Sequence, residues 1–314
     1  MSILSALQGV FTILILIVVG VVITKMGLLD QNMQEKLTKI VLWFSVPFQL
    51  FENSSGTFTL PFIREYGLFI LLPYVIMFGS IAVGFLCTRI FRIQEHRRGL
   101  FVTMFSLSNN IFVGLPVCTA IFGDAGISFV CMYLFCNTTT FWTFGISQIA
   151  KDAGQKFKFG PRTLMQIFSP PLCGFLAGVV VAILGIQLPE IIVVPMRYLG
   201  SLTIPLAMIL AGAIIAGMGR RAFRLDRAGI GILVGRILVA PVLALVLCKL
   251  FVLPLTMTGV FVVESAMPVM TQAMIMARFY KADYELSAQM ICVTTMASLV
   301  MVPILVLVMN AFFV

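Results

Sequence analysis

The sequence predicts an all-α polytopic membrane protein, and three observations carry that prediction. Of the 314 residues, 61% are hydrophobic and 11% charged, with a mean hydropathy of +1.10, which excludes a soluble globular protein. Uncharged runs recur that exceed the roughly 20 residues a helix needs to cross a bilayer. The runs lack the roughly ten-residue alternation of barrel strands, and backbone polar groups cannot stay unpaired in lipid, so the spans are helices.

Ten spans are expected. Span 1 reaches from the N-terminus to Lys25, the first charged residue, and reads as an uncleaved helix rather than a signal peptide because no basic segment precedes it. Span 2 is the weakest, since between Lys36 and Asn53 only residues 40–51 are uncharged; its terminal lysines can snorkel to the interface. Spans 3 to 7 occupy the uncharged intervals 66–88, 99–123, 125–150, 163–189 and 198–219, and span 10 occupies 286–314. Spans 8 (about 228–248) and 9 (250–277) each contain one charge, Arg236 and Glu264.

The net charge of +9 is a topology signal and not a nucleic-acid surface, because the cations lie in clusters between spans. The odd-numbered loops hold Lys25, Lys36, Lys39, Arg89, Arg92, Arg97, Arg98, Lys151, Lys156, Lys158, Arg162, Arg220, Arg221, Arg224, Arg227, Arg278 and Lys281. The even-numbered loops hold only Arg64, Arg197 and Lys249, a split of 17 to 3. Odd loops therefore face the cytoplasm and both termini the outside of a cell (inner or plasma) membrane.

Five spans precede the short basic linker at 151–163 and five follow it, so halves 1–150 and 164–314 run in opposite orientations as inverted repeats. Ser45-Val46-Pro47 answers Thr203-Ile204-Pro205 at an offset of 158, and Thr138-Thr139 answers Thr294-Thr295 at 156. Residues Gly114 to Thr119 answer Ala266 to Thr271 at 152, which aligns Pro116 with Pro268.

Spans 4 and 9 are the informative pair. Proline removes a donor and clashes with the preceding turn, and each proline here has polar neighbours, so both helices are expected to be interrupted. A single proline kink is commonplace, but matched interruptions in the two halves of a transporter point to a substrate site near the bilayer midplane. The candidate substrate-binding residues are Asn109, Asn110, Gly114, Pro116, Asn137, Ser265, Met267, Pro268, Thr271 and Gln272, with Pro47 and Pro205 as further proline breaks. Amides together with half-helix N-termini suit a carboxylate without a full charge, while Asn137 equally suits an interhelical hydrogen bond. The intramembrane charges Arg236 and Glu264 each cost roughly 2.5 to 3.5 kcal/mol on the insertion scale. Either they pair as a structural bridge, or Arg236 snorkels toward the cytoplasm, or Arg236 faces an anionic substrate while Glu264 carries a proton.

Seven cysteines in apolar stretches, with one histidine, His96, and no C-x-x-C pair, read as packing residues, with neither metal nor cofactor expected. No G-x-x-x-x-G-K-[ST] loop supports an ATP-driven pump, no H-E-x-x-H an intramembrane hydrolase and no T-V-G-Y-G filter a channel. The chain is not expected to be an enzyme.

Several motifs together resemble the auxin efflux carrier family across essentially the whole chain. They are Ser108-Asn109-Asn110 before Gly114-Leu115-Pro116, Phe122-Gly123, Asn137 with Trp142-Thr143 and Gly145, Ser169-Pro170-Pro171, Gly185 to Pro189, Ile204-Pro205-Leu206-Ala207 with Gly212-Ala213, and Ala266-Met267-Pro268 with Tyr280. The resemblance implies a fold similar to auxin exporters and bile acid symporters, in which helices 4 and 9 cross at their prolines. It also implies a scaffold of helices 1, 2, 6 and 7, a transport domain of helices 3–5 and 8–10, elevator-like alternating access and a homodimer. Its members carry organic anions, including mono- and dicarboxylates, and Asn109 and Asn110 match the stretch that contacts the substrate carboxylate. The chain departs from the long plant exporters in its short central loop, and Glu264 stands where a small or neutral residue is expected. The expected function is export or exchange of a small organic anion by a secondary active transporter; the alternative is a membrane-embedded anion sensor on the same fold that binds without translocating.

Overall fold

A computed structural model describes residues 3–155, 157, 160–217 and 224–313. Lys156, Lys158, Arg220 and Arg221, which enter the loop-charge argument, lie outside them. Among the described residues the regular elements are all helical, with one isolated antiparallel bridge, Ser108 with Val269. In chain order the α-helices are α1 (Ile3–Lys25), α2 (Gln31–Ile40), α3 (Val46–Thr57), α4 (Leu60–Tyr66), α5 (Leu71–Ile90), α6 (Arg98–Ser106), α7 (Leu115–Phe122), α8 (Asp124–Thr140) and α9 (Ile146–Asp152). There follow α10 (Pro161–Ile167), α11 (Pro170–Leu184), α12 (Glu190–Ser201), α13 (Thr203–Ala216), α14 (Arg227–Val234), α15 (Ala240–Leu250), α16 (Leu255–Ala266), α17 (Thr271–Tyr280) and α18 (Tyr284–Phe313).

Five described helices are long and apolar enough to cross a membrane: Leu60–Ile90, Asp124–Asp152, Glu190–Ala216, Arg227–Leu250 and Tyr284–Leu305. Shorter apolar helices are Phe11–Lys25, Asn110–Phe122, Pro170–Leu184 and Leu255–Ala266. The protein is thus a polytopic membrane protein. Leu68, Ile191 and Val252 point outward while Arg236, Glu264 and Asn137 are buried, so apolar residues face lipid and polar groups the interior.

Several boundaries differ from those read in the sequence. Residues 31–57 form one helical run much longer than the uncharged core of span 2, because its flanking polar residues continue the helix along α11 and α12. Span 6 divides: Ser169 is extended (ψ 156°) ahead of Pro170 and Pro171, which open α11 and separate it from α10. Span 7 begins earlier than expected, at Glu190, and turns at Leu202, three residues before Pro205.

Prolines leave a second signature. Among the described residues there are π-helical turns at Val41–Ser45, Asn110–Gly114, Phe141–Gly145 and Gly235–Val239. Three of these are followed two residues later by Pro47, Pro116 and Pro241. A widened turn re-registers the carbonyls that a proline ring would strike and leave without a donor. Pro47 is therefore not a break, as the sequence reading had it: the helix passes through it by widening.

Close approach organises one group of helices. Gly174 and Gly178 of α11 lie over the backbone of Pro47 and Phe51 in α3, and Gly212 of α13 lies over Ile17 of α1, where any Cβ would overlap. Helix α12 also lies on α3, and Arg197 reaches Glu52 at 3.1 Å. A second group joins α5, α6, α8, α9 and α14 to α18. Its loop ends are tied by polar caps. Arg97 Nη1 bonds Asp226 at 2.8 Å and Arg97 also pairs with Asp283, and these two aspartates cap the starts of α14 and α18 through Gly229 and Leu286. Asp152 accepts from the Gly99 and Leu100 N–H groups at 2.8 and 2.7 Å, fixing the end of α9 to the start of α6.

Five of the cysteines are buried, as packing residues would be, while Cys173 is exposed and Cys292 partly so.

Candidate binding site at the helix breaks

The two interrupted spans meet at their breaks. After α6, residues 107–109 are extended before the helix restarts with the π turn at Asn110; after α16, residues 267–270 are extended before α17. The two links lie side by side, with the Asn109 N–H donating to the Pro268 carbonyl at 2.8 Å. Pro268 sits within its link as expected. Pro116 does not: the first break falls at Leu107–Asn109, and Pro116 is the second residue of α7, accommodated by the π turn. The sequence correspondence of Pro116 with Pro268 therefore does not carry over to their places in the structure.

Each link needs partners for the backbone groups that the missing helical turn leaves free. Asn137 on α8 serves the first: its Nδ2 donates to the Ser108 carbonyl at 2.9 Å and its Oδ1 accepts from the Ser108 N–H at 3.2 Å. This is the interhelical hydrogen-bonding role that the sequence left open. At the second link, the Thr294 hydroxyl accepts from the Val269 N–H at 3.0 Å. Arg236, 1% exposed, donates to the Met267 carbonyl through Nε at 2.8 Å and to the Ser265 carbonyl through Nη2 at 2.6 Å.

Arg236 thus caps the carbonyl end of α16, where a cation complements both the unpaired oxygens and the helix dipole. It forms no ion pair with Glu264, so the structural bridge expected as one option is absent, and it does not line the cavity described below. Glu264 is fully buried and accepts from Asn110 Nδ2, and a Cβ at Gly114 would overlap its carboxylate. Gly114 is therefore a space-making residue for Glu264.

A cavity of about 250 Å³ opens in front of the first link. Asn109, Asn110, Asn137 and Gln272, four of the candidate substrate-binding residues, line it. Thr271 stands behind Asn109, accepting from its Nδ2 at 3.2 Å. Gly114, Pro116, Ser265, Met267 and Pro268 do not line the cavity; the carbonyls of Ser265, Met267 and Pro268 are engaged at the crossing itself. The sequence reading did not single out Leu42, Trp43, Thr138, Met270, Ile275 and Met276 as wall residues, and it used Trp142 and Ser169-Pro170-Pro171 only as family motifs. Three of the four π turns contribute to the wall, and a mid-span proline signals two of those three, at 47 and 116.

No wall residue carries a formal charge. The wall instead gathers amides, the Thr138 and Ser169 hydroxyls and the opening residues of three helical segments, at Asn110, Pro170 and Gln272. Helix N-termini present positive dipole ends and unused N–H groups, although Pro170 and Pro171 have no N–H to offer. Such a surface can hold a carboxylate by neutral donors. A larger groove of about 760 Å³ lies away from both breaks, at the loop ends around Arg89, Arg98, Lys151, Glu95 and Asp152, and mixes charges of both signs. It lacks the convergent amides of the smaller cavity.

Residues 5–306, nearly the whole chain, match the model of a membrane transport protein family. The chain is 27% identical over 304 residues to an uncharacterized transporter of Methanocaldococcus jannaschii, covering 93% of this chain and 95% of that one. It is 25% identical over 312 residues to an uncharacterized transporter of Methanothermobacter thermautotrophicus, covering 97% and 98%. With a broken-helix crossing, a cavity beside it whose wall carries four amide side chains, and a family match along nearly its full length, the chain belongs to the membrane transport protein family that includes the auxin efflux carriers, and it is a membrane transporter.

Proposed function

We propose that this transporter is a secondary active carrier that exports or exchanges a small organic anion, a mono- or dicarboxylate, through the cavity at the helix breaks. The observation that carries the reading is an uncharged, amide-rich cavity on which three helix N-termini converge. A fixed cation would bind an anion more tightly and release it more slowly, whereas neutral donors suit a site that must empty on the far side.

The reading includes ten spans in two inverted five-helix repeats, 1–150 and 164–314, with both termini outside the cytoplasm. In it α1 to α3 and α11 to α13 form the scaffold, supported by their glycine-mediated contacts, and the helices tied by Arg97 and Asp152 move as the transport domain. Leu42, Trp43 and Ser169 to Pro171 then face the moving amides from the scaffold side, so an elevator step carries the cavity past a fixed wall. The carrier works as a homodimer.

Counterflow in liposomes tests the reading. Purified protein is enclosed with malate, malonate, indole-3-acetate or taurocholate, and uptake of the same labelled compound is followed without an ion gradient. Accumulation of a carboxylate is expected. Stabilisation by a carboxylate without accumulation of any of the four would overturn the transport reading in favour of binding alone.

A further inference from the structure

Glu264 and Asn110 leave a specific vacancy in their hydrogen bonding. Asn110 Nδ2 donates to Glu264 Oε2, yet Glu264 Oε1 and Asn110 Oδ1 are both buried acceptors without a partner. Glu264 is 0% and Asn110 2% exposed, so bulk water does not satisfy them. Two buried acceptors without a donor are costly. A proton on Glu264 Oε1 would supply that donor and, given to Asn110 Oδ1, would close an acid–amide ring that satisfies both atoms.

We propose that the Glu264–Asn110 pair is a proton-binding site that couples proton movement to the transported anion. The inference rests on the proposed function, because Asn110 is also part of the cavity wall. Solvent supplies the proton, which forms an O–H bond at Oε1; when it leaves, it returns to solvent and the carboxylate is ionised. Without it, Oε1 and Oδ1 repel, the amide turns, and Asn110 presents a different edge to the cavity. Protonation and substrate recognition thus share one side chain.

The surroundings fit a single movable proton. Cys118 on α7, Cys131 and Tyr133 on α8 and Arg236 in the turn at Gly235–Val239 are the ionisable groups within electrostatic reach of Glu264. Arg236 directs its bonded donors to the carbonyls of Ser265 and Met267. It forms no ion pair that would trap the carboxylate. Gly114 leaves the space in which the ring closes.

Two measurements test this. Infrared difference spectra of the full-length protein in lipid, recorded between acid and alkaline pH with no substrate present, should contain a protonated-carboxyl C=O band that is lost in Glu264→Gln and shifted in frequency in Glu264→Asp. Glutamine can close the same ring as an amide pair, so Glu264→Gln should fold with a Tm close to that of the wild type. A proton gradient should accelerate malate uptake in the wild type, and in Glu264→Gln the ratio of uptake with and without the gradient should fall to one. A band unchanged in both variants, acceleration retained by Glu264→Gln, or acceleration by a sodium gradient in place of a proton gradient would overturn the proposal. If the band behaves as expected while malate shows no counterflow, the proton site stands and the choice of carboxylate is what fails.

Discussion

At the first helix break one neutral amide, Asn137, supplies both a donor and an acceptor to Ser108, whereas the second break divides the task between the Thr294 hydroxyl and the Arg236 guanidinium. The difference follows what each break faces. The first link borders the cavity, and its partners, Asn137 and Asn110, present amide groups to that space. Each link reaches the wall through one residue, Asn109 and Met270, but Arg236 does not line the cavity, so a cation can satisfy the second link's carbonyls away from that space. The two breaks therefore solve the same backbone problem with different chemistry, leaving the charge away from the cavity and the neutral amides on its wall.

Substitutions should separate these roles. The largest effect is expected from Arg236→Leu, which leaves the Ser265 and Met267 carbonyls without their buried donor and should cost about 3 kcal/mol, read as lost folded yield and a lower Tm. Asn137→Ala removes two bonds from one residue and should cost about 2 kcal/mol by the same assay, with weakened anion binding as well because Asn137 is on the wall. Pro268→Ala restores an N–H and favours continuation of the helix; it should slow counterflow about tenfold, equivalent to about 1.4 kcal/mol of barrier, with far less effect on yield. Thr294→Val removes the acceptor for the Val269 N–H and the hydroxyl's own bond to the Met290 carbonyl, and should cost about 1 kcal/mol with little change in binding. If Thr294→Val weakens binding as much as Asn137→Ala, the proposed division between structural and binding sides fails.

Much of this was legible in the sequence. Hydropathy alone identifies the membrane class. Asn109, Asn110, Asn137 and Gln272 were identifiable as wall residues because amides are costly at membrane depth unless they have partners or line a cavity. The position of the first break was less accessible, because Pro116 is the more conspicuous breaker and a π turn absorbs it. Arg236 was ambiguous for another reason: a cation that caps a helix end has no acidic partner at any fixed spacing, so its acceptors are backbone oxygens invisible in a sequence. Trp43 and the opening of α11 belong to the wall only through packing between distant helices, which local patterns do not encode.

The most direct test uses the two tryptophans of the chain, Trp43 and Trp142, because both stand on the cavity wall. Intrinsic fluorescence of the purified protein should change saturably on titration with the carboxylate that counterflow identifies. The change should be reduced in Trp43→Phe and in Trp142→Phe, and the affinity should fall in Asn109→Ala. A carboxylate that is transported but leaves the emission of both tryptophans unchanged would contradict the assignment of this cavity as the binding site.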